Sequence, residues 1–312
     1  MGVRRTGLLG IALLTCVPAF AQTEAWHSLI QQADALYQQG WYEQSAAAAA
    51  RALEVAEKDL GPVHPDVATS LNLLALAHHA RGEFAAAEPM QQRALAILEK
   101  FLGPEHHSVA IAIGNLAELY QAQGRYDDAE RAHARALASV EGVLGPHHPN
   151  VASWLNSLAG VYFAQRKFAA AQPLYERALA LREKALGPYN PAVAASLNNL
   201  AALHAALGDY AAAKSLHRRA LEIAVSRMGE RHPAVAVALS NLAELHRAQG
   251  EHSDAELLYQ RSLVIRVDAF GPDHPDVAAS LESLARLYRA TGRLDDAGAL
   301  TDRAATIRAR PR

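Results

Sequence analysis

The sequence predicts an all-α fold, a solenoid of about seven stacked helix-turn-helix units. Three observations carry that prediction: turn signals that return every 42 residues, two amphipathic stripes between successive signals, and alanine columns at fixed sites in the units. Of 312 residues, 51% are hydrophobic and only 6% aromatic. A sizeable core is therefore available, and it must be built mainly from aliphatic packing.

Residues 1–21 read as a signal peptide rather than as part of the fold. Arg4 and Arg5 precede an apolar run from Leu8 to Val17, Pro18 breaks it, and Ala19-Phe20-Ala21 supplies the small residues of a cleavage site. The run is too short to cross a ~30 Å hydrocarbon core as a helix. Cleavage after Ala21 is expected, leaving an exported chain, periplasmic or secreted, with no membrane span. Cys16, the one cysteine, lies in that segment, so the mature chain has no disulfide and packing alone must hold it.

From Gln22 onward one period runs to the end. Gly61-Pro62, Gly103-Pro104, Gly145-Pro146, Gly187-Pro188 and Gly271-Pro272 recur in step, with Gly229-Glu230 in the remaining slot. A second mark follows each: His64-Pro65, His106-His107, His148-Pro149, Asn190-Pro191, His232-Pro233 and His274-Pro275. The units are approximately 22–63, 64–105, 106–147, 148–189, 190–231, 232–273 and 274–312. They fill the chain and leave no space for a separate catalytic domain.

Each unit reads as two helices. In 106–147, Val109, Ala110, Ile113, Leu116, Ala117 and Tyr120 recur at three- and four-residue spacing, the stripe of an amphipathic helix. Gly124 closes it, glycine being able to take the left-handed cap conformation without a Cβ penalty. Its counterparts are Gly40, Gly82, Gly208, Gly250 and Gly292, with Arg166 once in their place, where a strained backbone is expected. Tyr126, Ala129, Ala132, Ala136, Leu137, Val140 and Leu144 form the second stripe, and Gly145-Pro146 stops it. Pro89 and Pro173 fall one turn into the second helix, where the amide hydrogens are still largely unpartnered, so those helices should stay intact.

Small residues explain how the pairs pack. Ala33, Ala75, Ala117, Ala159, Ala201, Ala243 and Ala285 form one column; Ser45, Ala87, Ala129, Ala171, Ala213, Ala255 and Ala297 form another. Such columns let helix axes approach to the short end of the ~8–10 Å range. One helix pair cannot bury its stripe alone, whereas stacked pairs can.

With Leu197-Asn198-Asn199-Leu200-Ala201, Gly208-Asp209-Tyr210-Ala211, Arg219-Ala220-Leu221-Glu222-Ile223 and His232-Pro233 on the page, the chain resembles the tetratricopeptide repeat, in the 42-residue form of kinesin light chains. The resemblance covers essentially all of 22–312 and implies a right-handed superhelix whose first helices line a concave groove for a protein or peptide ligand. Carried onto this sequence, the groove positions are Asn115, Ser157, Asn199 and Asn241, with Asn72, Asn156 and Asn198 one residue earlier. An amide there suits a peptide backbone, because it donates and accepts whatever the ligand side chain is. One turn on lie Glu118, Gly160, Ala202, Glu244 and Arg286, then His79, Gln121, Phe163, Ala205, Arg247 and Arg289. The C-terminal end thus gathers Arg247, Arg286 and Arg289 against Glu244 and Glu282, a place for an acidic segment or a terminal carboxylate, although a solvated mixed-charge face is the plainer reading.

Other chemistries are excluded or disfavoured. A net charge of −2 opposes nucleic-acid binding. The fifteen histidines include adjacent pairs such as His78-His79, which do not share a helix face, and neither a metal nor a cofactor is expected. His78, His204 and His246 share a column with Tyr120, Tyr162 and Tyr288, which suits half-buried packing. The arginines at 51, 93, 135, 177, 219, 261 and 303 should pair with acids such as Glu88, Glu130 and Glu256 rather than with phosphates. No nucleophile-base order or phosphate loop stands out. The expected function is a non-enzymatic, exported scaffold that binds a protein or peptide; the alternative is a self-associating assembly scaffold, dimerising through an end unit.

Overall fold

The computed structural model describes residues 24–309, all of whose regular structure is helical. The signal-peptide reading of 1–21, with Cys16 and Ala21, lies outside the described residues, as do the outermost residues of the first and last units. The first four pairs are α1 (Glu24–Gln38) with α2 (Tyr42–Leu60), α3 (Pro65–Ala80) with α4 (Phe84–Leu102), α5 (His107–Ala122) with α6 (Tyr126–Leu144), and α7 (Val151–Ala164) with α8 (Phe168–Leu186). The last three are α9 (Pro191–Ala206) with α10 (Tyr210–Met228), α11 (Pro233–Ala248) with α12 (His252–Phe270), and α13 (Pro275–Ala290) with α14 (Leu294–Ala309). No described helix is long and apolar enough to cross a membrane.

The chain divides into two compact bodies, Met1–Lys167 and Phe168–Arg312, so the division falls inside the fourth repeat. Within each body every helix packs on the next in sequence, and first helices of neighbouring repeats also touch, α1 with α3 and α9 with α11.

The repeat marks have physical roles at the helix ends. His64, His106, His232 and His274 are N-caps: each ring Nδ1 accepts the amide hydrogen two residues on, at 3.1–3.2 Å. Asn190 does the same with Oδ1 at 2.9 Å. Imidazole here satisfies an orphan donor as Ser or Asn would. Proline at the first helical position of α3, α9, α11 and α13 costs nothing, since that N–H has no helical partner. The turn glycines carry φ near +80°, and Arg166 adopts φ 59° in the same place, the strained exception the sequence implies. Pro89 and Pro173 sit inside unbroken helices.

Both small-residue columns are buried throughout, at 0–1% exposure from Ala33 to Ala285 and from Ser45 to Ala297. In the first repeat the two columns bond directly, Ser45 Oγ donating to the Ala33 carbonyl at 2.8 Å. Gly114 adds a local device: a Cβ there would lie 2.9 Å from the Trp154 ring, so glycine admits the one tryptophan that replaces a small residue in its column.

The arginine column pairs differently from expectation. Arg93 meets Glu57 at 2.5 Å, Arg135 meets Glu99, and Arg219 meets Glu183 at 2.6 Å, each acid lying near the end of the preceding second helix. Where that acid is replaced by Val225, Arg261 turns to Glu230, the residue that stands for the turn proline. Glu88, Glu130 and Glu256 are engaged elsewhere, by Arg125, Lys167 and Arg293 of the following repeat. Residues five apart on one helix point roughly 140° away from each other around its axis, so each arginine and the acid of its own helix do not share a face.

Candidate ligand-binding face

The proposed contact residues lie on first helices of both bodies. In the first body, Asn72 and Asn115 do not stand as independent amides. Asn115 is 7% exposed and its Nδ2 donates to Asn72 Oδ1 at 2.8 Å, joining α5 to α3. Asn156 turns back on its own helix, donating to the Ala152 carbonyl at 3.0 Å. Gln121 is half-buried and shares a hydrogen bond of 2.9 Å with His133 Nε2.

In the second body, Asn198 Oδ1 accepts from His217 Nδ1 at 2.8 Å. Asn199 and Asn241 are half-buried, and Asn241 makes no side-chain hydrogen bond among the described residues. Glu244 is held on two sides, by the Arg247 guanidinium and by the Tyr259 hydroxyl. Burial alone would raise its pKa. The bonds from Arg247 and Tyr259 and the charge of Arg286 outweigh burial and hold the carboxyl below its usual range. Arg247 is therefore internally neutralised. Arg286 and Arg289 are exposed, and the hydrogen bonds they make go to hydroxyls: Arg286 to Ser283 Oγ at 2.9 Å and Arg289 to Thr301 Oγ1 at 2.6 Å. Glu282, grouped with these arginines by the sequence, is instead locked in a two-bond fork by Arg308 of α14. The acidic half of the expected cluster thus reduces to Glu244.

Beneath this face runs a layer that the sequence reading did not single out. Gln91, His133, Tyr175, His217 and Tyr259 share one column of the second helices and are 1–5% exposed; Thr301 continues it. Four of the six bond a face residue above them: His133 to Gln121, His217 to Asn198, Tyr259 to Glu244 and Thr301 to Arg289. Burial drives both imidazoles down to a pKa of about 4, so they are neutral at ordinary pH and each bonds as donor or acceptor without a charge. Such a layer fixes the rotamers of contact residues, as a preorganised binding face requires.

A further column follows a charge rule. Where the first helix ends in tyrosine, the residue after the turn is basic and lies over the ring: Arg125 over Tyr120 at 4.2 Å, Lys167 over Tyr162 at 5.7 Å, Arg293 over Tyr288 at 3.8 Å. Where it is histidine, the residue is acidic: Glu83 by His78 at 2.5 Å, Asp209 by His204 at 3.3 Å, and Glu251 by His246. Five of these six rings are half-buried, as their alternation in sequence suggests, and Tyr288 is buried at 7% exposure. His246, Glu251 and Asp254 bring three ligand atoms within 4.8 Å of one another. The Lys214 ammonium already engages Glu251 at 3.3 Å, supplying the positive charge this acidic pair needs.

The tetratricopeptide repeat family model matches six overlapping stretches, 23–100, 74–141, 108–184, 150–225, 192–266 and 235–310. No curated protein matches the sequence. Among solved structures, BtubC (BKLC) from P. vanneervenii is similar at 26% identity and a TM-score of 0.58, covering 74% of this chain and 94% of that one. A Podosopora anserina protein described as a kinesin light chain with nearly identical TPR-like repeats gives 26% identity and 0.56, over 66% of this chain and 98% of that one. The fold extends further, at 16% identity, to a Rap protein complexed with Competence and Sporulation Factor, with a TM-score of 0.60 over 92% of this chain and 77% of that one.

Proposed function

The chain belongs to the tetratricopeptide repeat family, and from that premise we propose that it is a non-enzymatic scaffold which binds a protein or peptide along the face of its first helices. The observation that supports this most is the layered construction of that face in the second body. Half-buried Asn198, Asn199 and Asn241 stand over a buried His217–Tyr259 layer, and the exposed Arg286 and Arg289 follow. Amides in a row can bond a ligand backbone, and the two arginines favour an acidic group on it. The same fold in the Rap protein was solved with a factor bound, which supports this class of role and leaves the partner of the present chain open.

The experiment is selection of peptides from a random display library against the full chain. Affinities of the selected peptides would then be measured with Asn241→Ala and with Arg286→Glu/Arg289→Glu. Loss of tenfold or more in either variant supports the reading; unchanged affinity in both removes it.

Export is proposed from the sequence of residues 1–21. Amino-terminal sequencing of the protein recovered from cell fractions tests it. A first residue of Gln22 in an extracytoplasmic fraction is expected, and an intact Met1 in the cytoplasm is the contrary result.

A further inference from the structure

The turn between α11 and α12 combines two features that the other repeats keep apart. An acid at the third position of a second helix occurs also as Asp128 and Asp296, and there the arginine of the same turn bonds it, Arg125 Nε at 2.8 Å and Arg293 Nε at 2.9 Å. Where the first helix ends in histidine and the turn residue is acidic, the third position is uncharged in the other cases: Ala86 after Glu83 and Ala212 after Asp209. The sixth repeat alone places a second acid, Asp254, beside an acidic turn residue, Glu251.

Both acids converge on His246. The backbone fixes the approach: Gly250 turns at φ +78°, and the Glu251 amide donates to the His246 carbonyl at 2.9 Å. His246 Nδ1 lies against Glu251 Oε2 and 3.8 Å from Asp254 Oδ2. Unlike His78 with Glu83, this imidazole nitrogen makes no hydrogen bond. It is covered by the Glu251 carboxylate, which is itself exposed, so an ion that takes Glu251 from solvent reaches the nitrogen with it. The Lys214 ammonium contacts Glu251, at 3.3 Å, and the one basic group within ion-pair distance of Asp254 among the described residues is His246. One ammonium thus stands against two carboxylates, and like charges held together favour a further cation.

We propose that His246, Glu251 and Asp254 form a binding site for a divalent transition-metal cation of the zinc class, with Nδ1 of the imidazole and one oxygen of each carboxylate as ligands. The three ligand atoms lie within 4.8 Å of one another. A tetrahedral zinc holds such atoms roughly 3.3–3.5 Å apart, and rotation of two exposed carboxylates closes the difference. The imidazole selects the metal: calcium and magnesium take oxygen ligands, whereas zinc and its neighbours accept nitrogen with carboxylate. Three protein ligands leave the fourth position to water. Sequence spacing conceals the trio, because its members come from the end of α11, the turn and the start of α12 rather than from one helix. None of the three is a contact residue assigned to the first-helix face, so the failure of this proposal and the failure of that reading are separate results.

The test is calorimetric titration of the full chain with zinc chloride, with the visible absorption of bound cobalt(II) as a second readout of ligand geometry. A saturable site is expected, and His246→Gln and the surface change Asp254→Ala should each weaken it by about tenfold or more. Lys214→Ala removes the competing ammonium and should tighten zinc several-fold. His204→Gln serves as the control: its partner Asp209 is followed by Ala212, so the pair lacks a third ligand and binding should not change. Absence of saturable binding up to about 1 mM zinc overturns the proposal. So does zinc binding of equal strength in His246→Gln and Asp254→Ala, which would place the ion elsewhere on the chain.

Discussion

Lys214 Nζ lies 3.3 Å from Glu251 Oε2, joining α10 to the turn of the next repeat with the charges reversed from the corresponding pair, Glu130 and Lys167, at 2.8 Å. Glu88 with Arg125 and Glu256 with Arg293 follow the Glu130 polarity. The reversal has a local reason. Glu251 must face His246, whereas Lys167 faces Tyr162. The ring that ends the first helix sets the sign of the turn residue, and the turn residue sets the sign of its partner one repeat back.

That chain of dependence predicts an outcome for charge exchange. Lys214→Glu sets two acids together and should lower the urea midpoint; adding Glu251→Lys should fail to restore it fully, because a lysine then faces His246. Exchanging Glu130 and Lys167 together should likewise lose the contact of Lys167 with Tyr162. Full recovery in both double variants would mean that the rings do not influence the pairs. Equilibrium unfolding in low salt, where surface ion pairs are least screened, is the measurement.

Arg166 gives a backbone prediction. Its φ of 59° is that of the glycines in the same column. Arg166→Gly should stabilise the chain by about 1 kcal/mol, the usual cost of a side chain in the left-handed region less the greater entropy of unfolded glycine. Gly124→Arg should destabilise by a similar amount. Thermal unfolding of both variants decides it.

The buried imidazoles fix a pH dependence. His133 and His217 have folded-state pKa values near 4 because of burial, below the 6.5 of an exposed histidine. Protons therefore bind the unfolded chain more readily between those values. The stability these residues allow is complete above pH 6.5 and is lost as pH falls towards 4, by about 3 kcal/mol for each histidine. His133→Gln/His217→Gln, using the residue found at position 91 of the same column, should flatten the unfolding curve across that window. Carboxylates such as Glu244 act below it.

Much of this architecture is legible in the sequence. The period, the alanine columns, the intact helices around Pro89 and Pro173 and the strained Arg166 all follow from local propensity and steric fit. What escapes is tertiary. The arginine column shows its regularity in sequence, yet its partners across the repeat boundary, Glu57, Glu99 and Glu183, emerge only once successive second helices are packed. Asn115 reads like Asn241 by position; only the meeting of α3 and α5 reveals that Asn72 accepts its hydrogen bond. The Gln91–Thr301 column hides because its chemistry changes from repeat to repeat while its depth does not. The histidines at 64, 106, 232 and 274 read as turn residues because imidazole is an uncommon cap.

The measurement that bears most directly on the account is peptide affinity compared across the two faces of the repeats. For peptides selected on the full chain, Asn241→Ala and Arg289→Glu should each weaken binding by tenfold or more, while Arg93→Ala and Arg261→Ala, in the second-helix column, leave it within twofold. Binding that survives the first pair and falls with the second would contradict the assignment of the working surface to the first helices.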